Sequence, residues 1–312
     1  MDFEQRHSGR IFAEGIALCL LGAICFSTKA IFVKLAYRDT SVDSVSLLAL
    51  RMLLALPFFL VSAAVSSSRQ ANVRFTQKQW LLIAFIGCMG YYISSLLDFI
   101  GLRYISAGIE RLILFIYPTL VLLISMLVYK RRAETAQWLA LVITYTGLAL
   151  AFAGEVGMDT SNKSFVTGSL FVFACALTYA VYIVGSGQLI PHVGAAKFNS
   201  YALSFACIAV LIHFFISSDN SLLAFEPAVY SYGAMMAIIS TVVPTYLISA
   251  GIRRIGSNNA AIVGSVGPVS TIVLAWYFLG ETFSLLQFVG TLLILCGVWI
   301  ISTSQGRAVS GK

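Results

Sequence analysis

Five charged residues lie within apolar stretches of the first half of this chain: Lys29, Arg51, Asp98, Glu110 and Arg111. A charge near the centre of a bilayer costs at least about 2.5–3.5 kcal/mol on insertion scales, so such side chains usually pair or face a polar cavity. Two uses of the five stay open. They could form a structural network in which the arginines pair with the two carboxylates. They could instead form the polar wall of a binding cavity, where one surplus positive charge would suit a carboxylate or a phosphate group.

Hydroxyl and aromatic side chains could complete such a cavity. Ser94 and Ser95 lie three and four residues after Tyr91, and Asp98 lies four and three residues after them, which places all four side chains on one face of a helix. Further candidates for the wall, facing an apolar or aromatic part of a ligand, are Tyr179, Tyr182 and Tyr246. Ordinary packing between helices is the alternative for each of these side chains.

Catalytic and metal-binding patterns are missing from the sequence. The three histidines, His7, His192 and His213, have no metal-ligand spacing. The chain contains no HExxH, GxSxG or phosphate-loop motif. We therefore expect no enzyme activity, no metal and no cofactor.

The elements that must position these residues are membrane-spanning helices. The chain is 59% hydrophobic and only 11% charged, whereas a soluble domain carries about a quarter charged residues. Its apolar residues form blocks of about 20, the length of a spanning helix. Because lipid offers the backbone no hydrogen bonds, the blocks predict an all-α membrane bundle. We predict ten spans, at roughly 12–36, 44–66, 79–101, 104–128, 136–154, 165–188, 197–217, 229–250, 258–279 and 284–303.

Lysine and arginine are distributed unevenly between the alternate loops. The side that holds the N-terminus carries thirteen of them and the opposite side three. The positive-inside rule therefore predicts that both termini are cytoplasmic. The net charge of +7 is explained by this orientation, and we expect the lipid bilayer and no nucleic acid as a partner.

The second half of the chain repeats the first. At a shift of 150 positions, Gly101, Arg103, Ile105, Pro118, Gln137 and Gly147 fall on Gly251, Arg253, Ile255, Pro268, Gln287 and Gly297. The repeat predicts two units, residues 12–154 and 165–303. Five spans per unit is an odd number, so the second unit enters from the opposite side and the repeat is inverted. Pro118 and Pro268 interrupt equivalent spans and are predicted hinges beside the site.

Two segments carry a resemblance to a known family. GLRYISAGIERLILFIYPTLVLLISMLVYKRR, residues 101–132, resembles the fourth span of the EamA family in the drug/metabolite transporter superfamily. GIRRIGSNNAAIVGSVGPVSTIVLAWYFLGETFSLLQFVG, which begins at Gly251, resembles the ninth span, including the Leu-Gly-Glu turn at 279–281. Arg51 in LALRMLLALPFF and Lys34 in AIFVKLAY also match. The first half departs from the pattern, because Lys130 and Arg131 replace its Gly-Glu turn.

The resemblance implies a transporter and leaves the substrate open. We expect a secondary transporter that exports a small polar metabolite, such as an amino acid or other carboxylate, by alternating access. The alternatives are an exporter of drugs or lipophilic cations and a flippase for a lipid-linked precursor. Asp98 and Glu110 are the candidates for proton coupling. Spans five and ten carry no intramembrane charge, so we predict that they are peripheral and available for a homodimer contact. The compact chain suits a bacterial inner membrane.

Overall fold

All regular structure in the described part of this chain is helical. The computed structural model describes residues 2–68, 74–129, 135–156, 163–218, 220–264 and 266–310. The first half contains α1 Asp2–Asp39, α2 Ser44–Ser67, α3 Gln77–Gly87, α4 Ser94–Gly101, α5 Ala107–Leu114, α6 Tyr117–Tyr129 and α7 Thr135–Val156. The second half contains α8 Lys163–Val193, α9 Ala195–Ser217, α10 Pro227–Ala237, α11 Val243–Gly264, α12 Gly267–Leu279 and α13 Leu285–Ser310.

Many of these helices can cross a membrane. Within the described residues, 7 helical runs are long and apolar enough to do so, and Gly267–Leu279 and Leu285–Gly297 are shorter apolar helices. The runs are Ile11–Asp39, Ser44–Ser67, Gln77–Gly101, Ala107–Val128, Lys163–Ile190, Ala195–Ser217 and Pro227–Ile252. The chain is therefore an all-helical membrane protein. The count of ten spans and the orientation of the termini stay predictions.

The two halves share their irregularities. A π-helical segment, Cys88–Ile93, joins α3 to α4, and a second, Ile238–Val242, joins α10 to α11. The two begin 150 residues apart, which is the shift of the sequence repeat. Further along, the helix is interrupted between Leu114 and Tyr117 and again between Gly264 and Gly267. Each interruption comes just before one of the paired prolines, Pro118 and Pro268, which therefore lie in the first turn of a helix, where proline is tolerated.

One predicted boundary is wrong. The sequence predicts a loop between spans eight and nine, but α11 continues as a helix through residues 251–257. The equivalent turn of the first half, residues 102–106, ends at Ser106, whose hydroxyl caps α5, and Glu281 accepts from the first amides of that helix. At the same shift, Ser106 corresponds to Gly256 and Glu281 to Arg131, so neither cap is available there. Lys130 and Arg131 lie outside the described residues.

Glycines of the repeat bring the two halves into close contact. A Cβ atom added to Gly251 would lie 2.3 Å from Cys19 Sγ and 3.0 Å from the Gly15 carbonyl oxygen. In the equivalent contact, a Cβ atom on Gly168 would lie 3.1 Å from the Gly101 carbonyl oxygen. Small residues allow membrane helices to approach this closely. The matched glycines thus hold α1 against α11 and α4 against α8.

Predicted spans five and ten correspond to α7 and α13, which pack against each other. A Cβ atom on Gly147 would lie 2.6 Å from the Gly290 carbonyl oxygen. The homodimer contact expected of these spans stays a prediction.

Candidate functional site

Four of the predicted site residues come together in the interior of the bundle. Lys29 on α1 places its Nζ atom 2.7 Å from Asp98 Oδ2 on α4 and 4.0 Å from Glu110 Oε1 on α5. Arg111 Nε lies 3.8 Å from Glu110 Oε2. All four are nearly inaccessible: Lys29 is 5% exposed, Arg111 4%, and both acids 0%. We call Lys29, Asp98, Glu110 and Arg111 the buried charge cluster.

Within the described residues, Arg51 does not pair with a carboxylate, as the structural network expected from the sequence would require. Its Nε atom donates to the Thr241 hydroxyl at 2.9 Å, and its guanidinium lies 5.6 Å from the centre of the Phe99 ring. Among the described residues it forms no ion pair within 4.0 Å. Lys29, rather than Arg51, therefore neutralises Asp98.

Several polar atoms of these residues have no hydrogen-bond partner among the residues that the structure describes. They are Arg51 Nη1, Arg111 Nε, Arg111 Nη2, Asp98 Oδ1 and both carboxylate oxygens of Glu110. Leaving a buried polar group without a partner costs about 1–3 kcal/mol, and more for a charged group. The buried residues therefore include guanidinium donors and carboxylate acceptors whose hydrogen bonds are not made within the described residues.

Four tyrosines form an array beside the buried charges. The Tyr91 and Tyr182 rings lie 5.0 Å apart with their hydroxyls separated by 3.3 Å. Tyr179 stacks on Tyr182 at 5.7 Å and meets Tyr117 edge-on at 5.1 Å. Arg111 is close enough to interact electrostatically with the Tyr117 and Tyr179 phenols. We call Tyr91, Tyr117, Tyr179 and Tyr182 the tyrosine array.

Ser94 and Tyr246, the two remaining predicted residues, have different surroundings. The Ser94 hydroxyl lies 3.2 Å from Cys175 Sγ, in the interior between α4 and α8. Tyr246 is separate from the cluster: it is 45% exposed, and its hydroxyl donates to the Phe58 carbonyl at 3.4 Å. The structure thus unites the charged residues with three of the four predicted tyrosines.

The second half contributes hydroxyl groups that were not among the predicted site residues. Thr241, which holds Arg51, lies in the π-helical segment Ile238–Val242. Its neighbour Ser240 is hydrogen-bonded to Thr28 at 2.8 Å, and Ser27 donates to the Gly267 carbonyl at 2.9 Å. The repeat contained a signal for Thr241, because a shift of 150 positions places it on Tyr91. Interruptions of this type often occur at functional sites.

Comparison with known proteins identifies related chains that match most of this chain. The model of the EamA-like transporter family matches residues 13–153 and 166–303. The uncharacterized transporter YcbK of Bacillus subtilis (strain 168) is 30% identical, with 93% of each chain covered. The uncharacterized inner membrane transporter YicL of Salmonella typhimurium is 20% identical, covering 94% of this chain and 97% of its own. One solved crystal structure matches with a TM-score of 0.63 at 18% identity, covering 92% of this chain and 98% of the other, which is a likeness of fold.

Proposed function

Because this chain belongs to the EamA-like transporter family, we propose that it is a secondary transporter of a small metabolite that bears a carboxylate. Membership makes the chain a membrane transporter and not an enzyme. The observation that carries the proposal is the pair of buried arginines: Arg51 is 2% exposed and Arg111 4%, and both have unpartnered guanidinium nitrogens. Planar guanidinium groups bind carboxylates through paired hydrogen bonds.

The charge balance also favours an anionic group on the ligand. Three buried cations, Lys29, Arg51 and Arg111, accompany two buried anions, Asp98 and Glu110, which leaves one positive charge. A ligand carboxylate would neutralise it. An α-amino acid is a second kind of carboxylate that the site could accept, with its ammonium group beside Glu110, whose oxygens form no hydrogen bond within the described residues, and its side chain on the tyrosine array. As a zwitterion it would leave the net charge of the site unchanged.

We propose transport by alternating access between two inverted units, with the prolines Pro118 and Pro268 as flexing points. Matched interruptions in corresponding helices support this mechanism. The family resemblance favours export as the direction of transport. The loop charges favour cytoplasmic termini, and we place the protein in a bacterial inner membrane. Asp98 and Glu110 are the candidate proton carriers, because intramembrane carboxyl groups commonly form proton relays.

A second candidate is an exporter of lipophilic cations. The tyrosine array favours it, because aromatic faces attract cations, and Glu110 could supply the countercharge. The two candidates differ in which charge of the ligand they require.

Binding to three matched compounds separates the candidates. Phenylalanine, 3-phenylpropionate and 2-phenylethylamine share one ring but carry both charges, only the carboxylate, or only the ammonium group. Ligand at 100 times its dissociation constant stabilises the folded protein by about 2.7 kcal/mol, which a thermal-shift assay detects. Other amino acids are tested with analogues matched in the same way.

We expect compounds that carry the carboxylate to stabilise the wild-type protein. This stabilisation should be lost in Arg111→Met and retained in Arg74→Met, because the Arg74 side chain is exposed. Stabilisation by the amines alone, unaffected by Arg111→Met, would contradict the carboxylate proposal and support the cation exporter.

A further inference from the structure

The turn between α4 and α5, residues 102–106, is held from both sides. Lys34 Nζ donates to the Leu102 carbonyl at 3.2 Å and to the Ile105 carbonyl at 3.0 Å. The Glu281 carboxylate accepts from the backbone amides of Ala107 at 2.9 Å and Gly108 at 3.2 Å. These carbonyls and amides are the end groups that a helix cannot satisfy by itself. Lys34 belongs to the first repeat and Glu281 to the second, so the turn joins the two.

The segment that carries Glu281 covers the start of α5. Gly280 has a φ of 68°, which turns the chain sharply after α12. Beyond Glu281, the Phe283 ring lies directly over Gly108, where an added Cβ atom would be 2.3 Å from Phe283 Cζ. Gly108 therefore has to be glycine for this close approach.

The helix that Glu281 contacts, α5, carries two residues of the buried charge cluster. α5 has 8 residues, among them Glu110 and Arg111. It begins at the amides that Glu281 binds and ends at the interruption before Tyr117. A movement of its first turn would therefore move Glu110 and Arg111 as well.

We propose that the contact of Glu281 with the Ala107 and Gly108 amides is a latch that closes the binding site at one face of the membrane. We call the face that holds residues 102–106 the turn face; the loop charges predict that it is extracellular. Release of the latch frees α5 and opens the site to the turn face. The inference rests on the proposed alternating access and is independent of the substrate.

Other contacts at the turn face agree with a closed state. Arg103 Nη2 donates to the Val42 carbonyl at 2.8 Å. Asn220 Nδ2 donates to Asp43 Oδ2 at 3.3 Å, and the Tyr232 hydroxyl donates to Asp39. Loops of both repeats are therefore tied together here.

Glu281 is not repeated at the equivalent position of the first half. A shift of 150 positions places Glu281 on Arg131, which cannot accept from helix amides. The contact of Glu281 with α5 favours the state that is closed at the turn face. The two faces would therefore open with different free energies.

Accessibility of a thiol at the site tests the latch without a substrate. Cys175 is 2% exposed, with its Sγ atom 3.2 Å from the Ser94 hydroxyl, so a reagent reaches it only through an open site. The other five cysteines are replaced by alanine or serine: Cys19, Cys25, Cys88, Cys207 and Cys296. The rate of reaction with the membrane-impermeant thiosulfonate MTSET is then measured from each face in oriented vesicles.

We expect Glu281→Gln to raise the labelling rate from the turn face about tenfold, equivalent to about 1.4 kcal/mol, without raising it from the opposite face. Gly108→Ala, which displaces Phe283 and keeps the charge, should act in the same direction. The matched control is Glu226→Gln, an exposed acid on the same face that caps nothing with its side chain.

Four results would overturn the latch. The first is a labelling rate from the turn face that neither Glu281→Gln nor Gly108→Ala changes, while Cys175 is still labelled from the opposite face. The proposed transport function would be unaffected by that result. Another is equal acceleration from both faces, which is general loosening of the fold. The third is acceleration of the same size in Glu226→Gln. The fourth is no labelling of Cys175 from either face in any variant, because no variant then opens the site; exchange of substrate across the membrane would decide separately on alternating access.

Discussion

Replacing Lys29 by methionine should destabilise this protein strongly, because it removes the charge that neutralises Asp98. Lys29 Nζ lies 2.7 Å from Asp98 Oδ2 and 4.0 Å from Glu110 Oε1, and both acids are 0% exposed. Methionine retains most of the aliphatic stem, so the loss of packing is small. Breaking one partner out of a buried pair costs about 3–5 kcal/mol, since the other charge is left uncompensated.

The same reasoning predicts rescue. In the double variant Lys29→Met/Asp98→Asn, the uncompensated carboxylate is gone, so most of the lost stability should return. The free energy of unfolding is measured in mild detergent by titration with a denaturing detergent, for both single variants and the double variant. Lys163→Met, at the exposed start of α8, is the control and should change stability by no more than about 0.5 kcal/mol.

Two results would refute the reasoning. If Lys29→Met costs no more than Lys163→Met, the ammonium group does not neutralise the buried acids. If the double variant is as unstable as the sum of the two single variants, Lys29 and Asp98 are not coupled.

Three other changes test separate parts of the structure. Gly251→Ala should cost about 1–3 kcal/mol in detergent unfolding, because its Cβ atom would lie 2.3 Å from Cys19 Sγ; Gly187→Ala, with no atom within 4 Å of its Cβ, should cost nothing. Thr241→Val should lower the free energy of unfolding by about 1–3 kcal/mol, because Arg51 loses the acceptor 2.9 Å from its Nε. Thr241→Ser keeps a hydroxyl acceptor and should retain most of the wild-type stability. Asp43→Ala should cost about 1 kcal/mol at pH 7, since Asp43 caps α2. Partial burial raises the pKa of Asp43, but hydrogen bonds from Ser46 and Val45 outweigh it and hold that pKa below its usual value. A lowered pKa stabilises the folded state above the ordinary aspartate pKa of about 3.9, and this contribution is lost as the pH falls through the folded-state value. The difference in stability between Asp43→Ala and wild type should therefore shrink as the pH falls below about 3.9. Three results would contradict these assignments. They are a cost of Asp43→Ala that does not change with pH, equal costs of Gly251→Ala and Gly187→Ala, and equal costs of Thr241→Val and Thr241→Ser.

Features that depend on local pattern could be predicted from the sequence. Apolar blocks define helices, because lipid leaves the backbone no other way to satisfy its hydrogen bonds. The glycine anchors of the repeat, such as Gly101 and Gly251, mark real close contacts between helices. Charges in apolar blocks, such as Lys29 and Glu110, were expected to meet because isolated charges are too costly in lipid.

Features that depend on which helices are neighbours could not be predicted in this way. Periodicity assigns a residue to a face of its helix but does not say what that face meets. Two features of the site depend on such contacts. Asp98 pairs with Lys29 instead of an arginine, and Tyr246 is separate from the buried charge cluster. The contact of Glu281 with the Ala107 amide joins residues that are 174 positions apart.

Exchange across a membrane tests most directly the claim that the buried arginines bind a carboxylate substrate. Proteoliposomes loaded with an unlabelled amino acid that stabilises the protein are placed in the same amino acid in radiolabelled form, and uptake by exchange is measured. The account predicts exchange in wild type and in Arg74→Met, partial exchange in Arg111→Lys, which keeps the charge but loses the planar fork, and none in Arg111→Met. Exchange at the wild-type rate in folded Arg111→Met would contradict it.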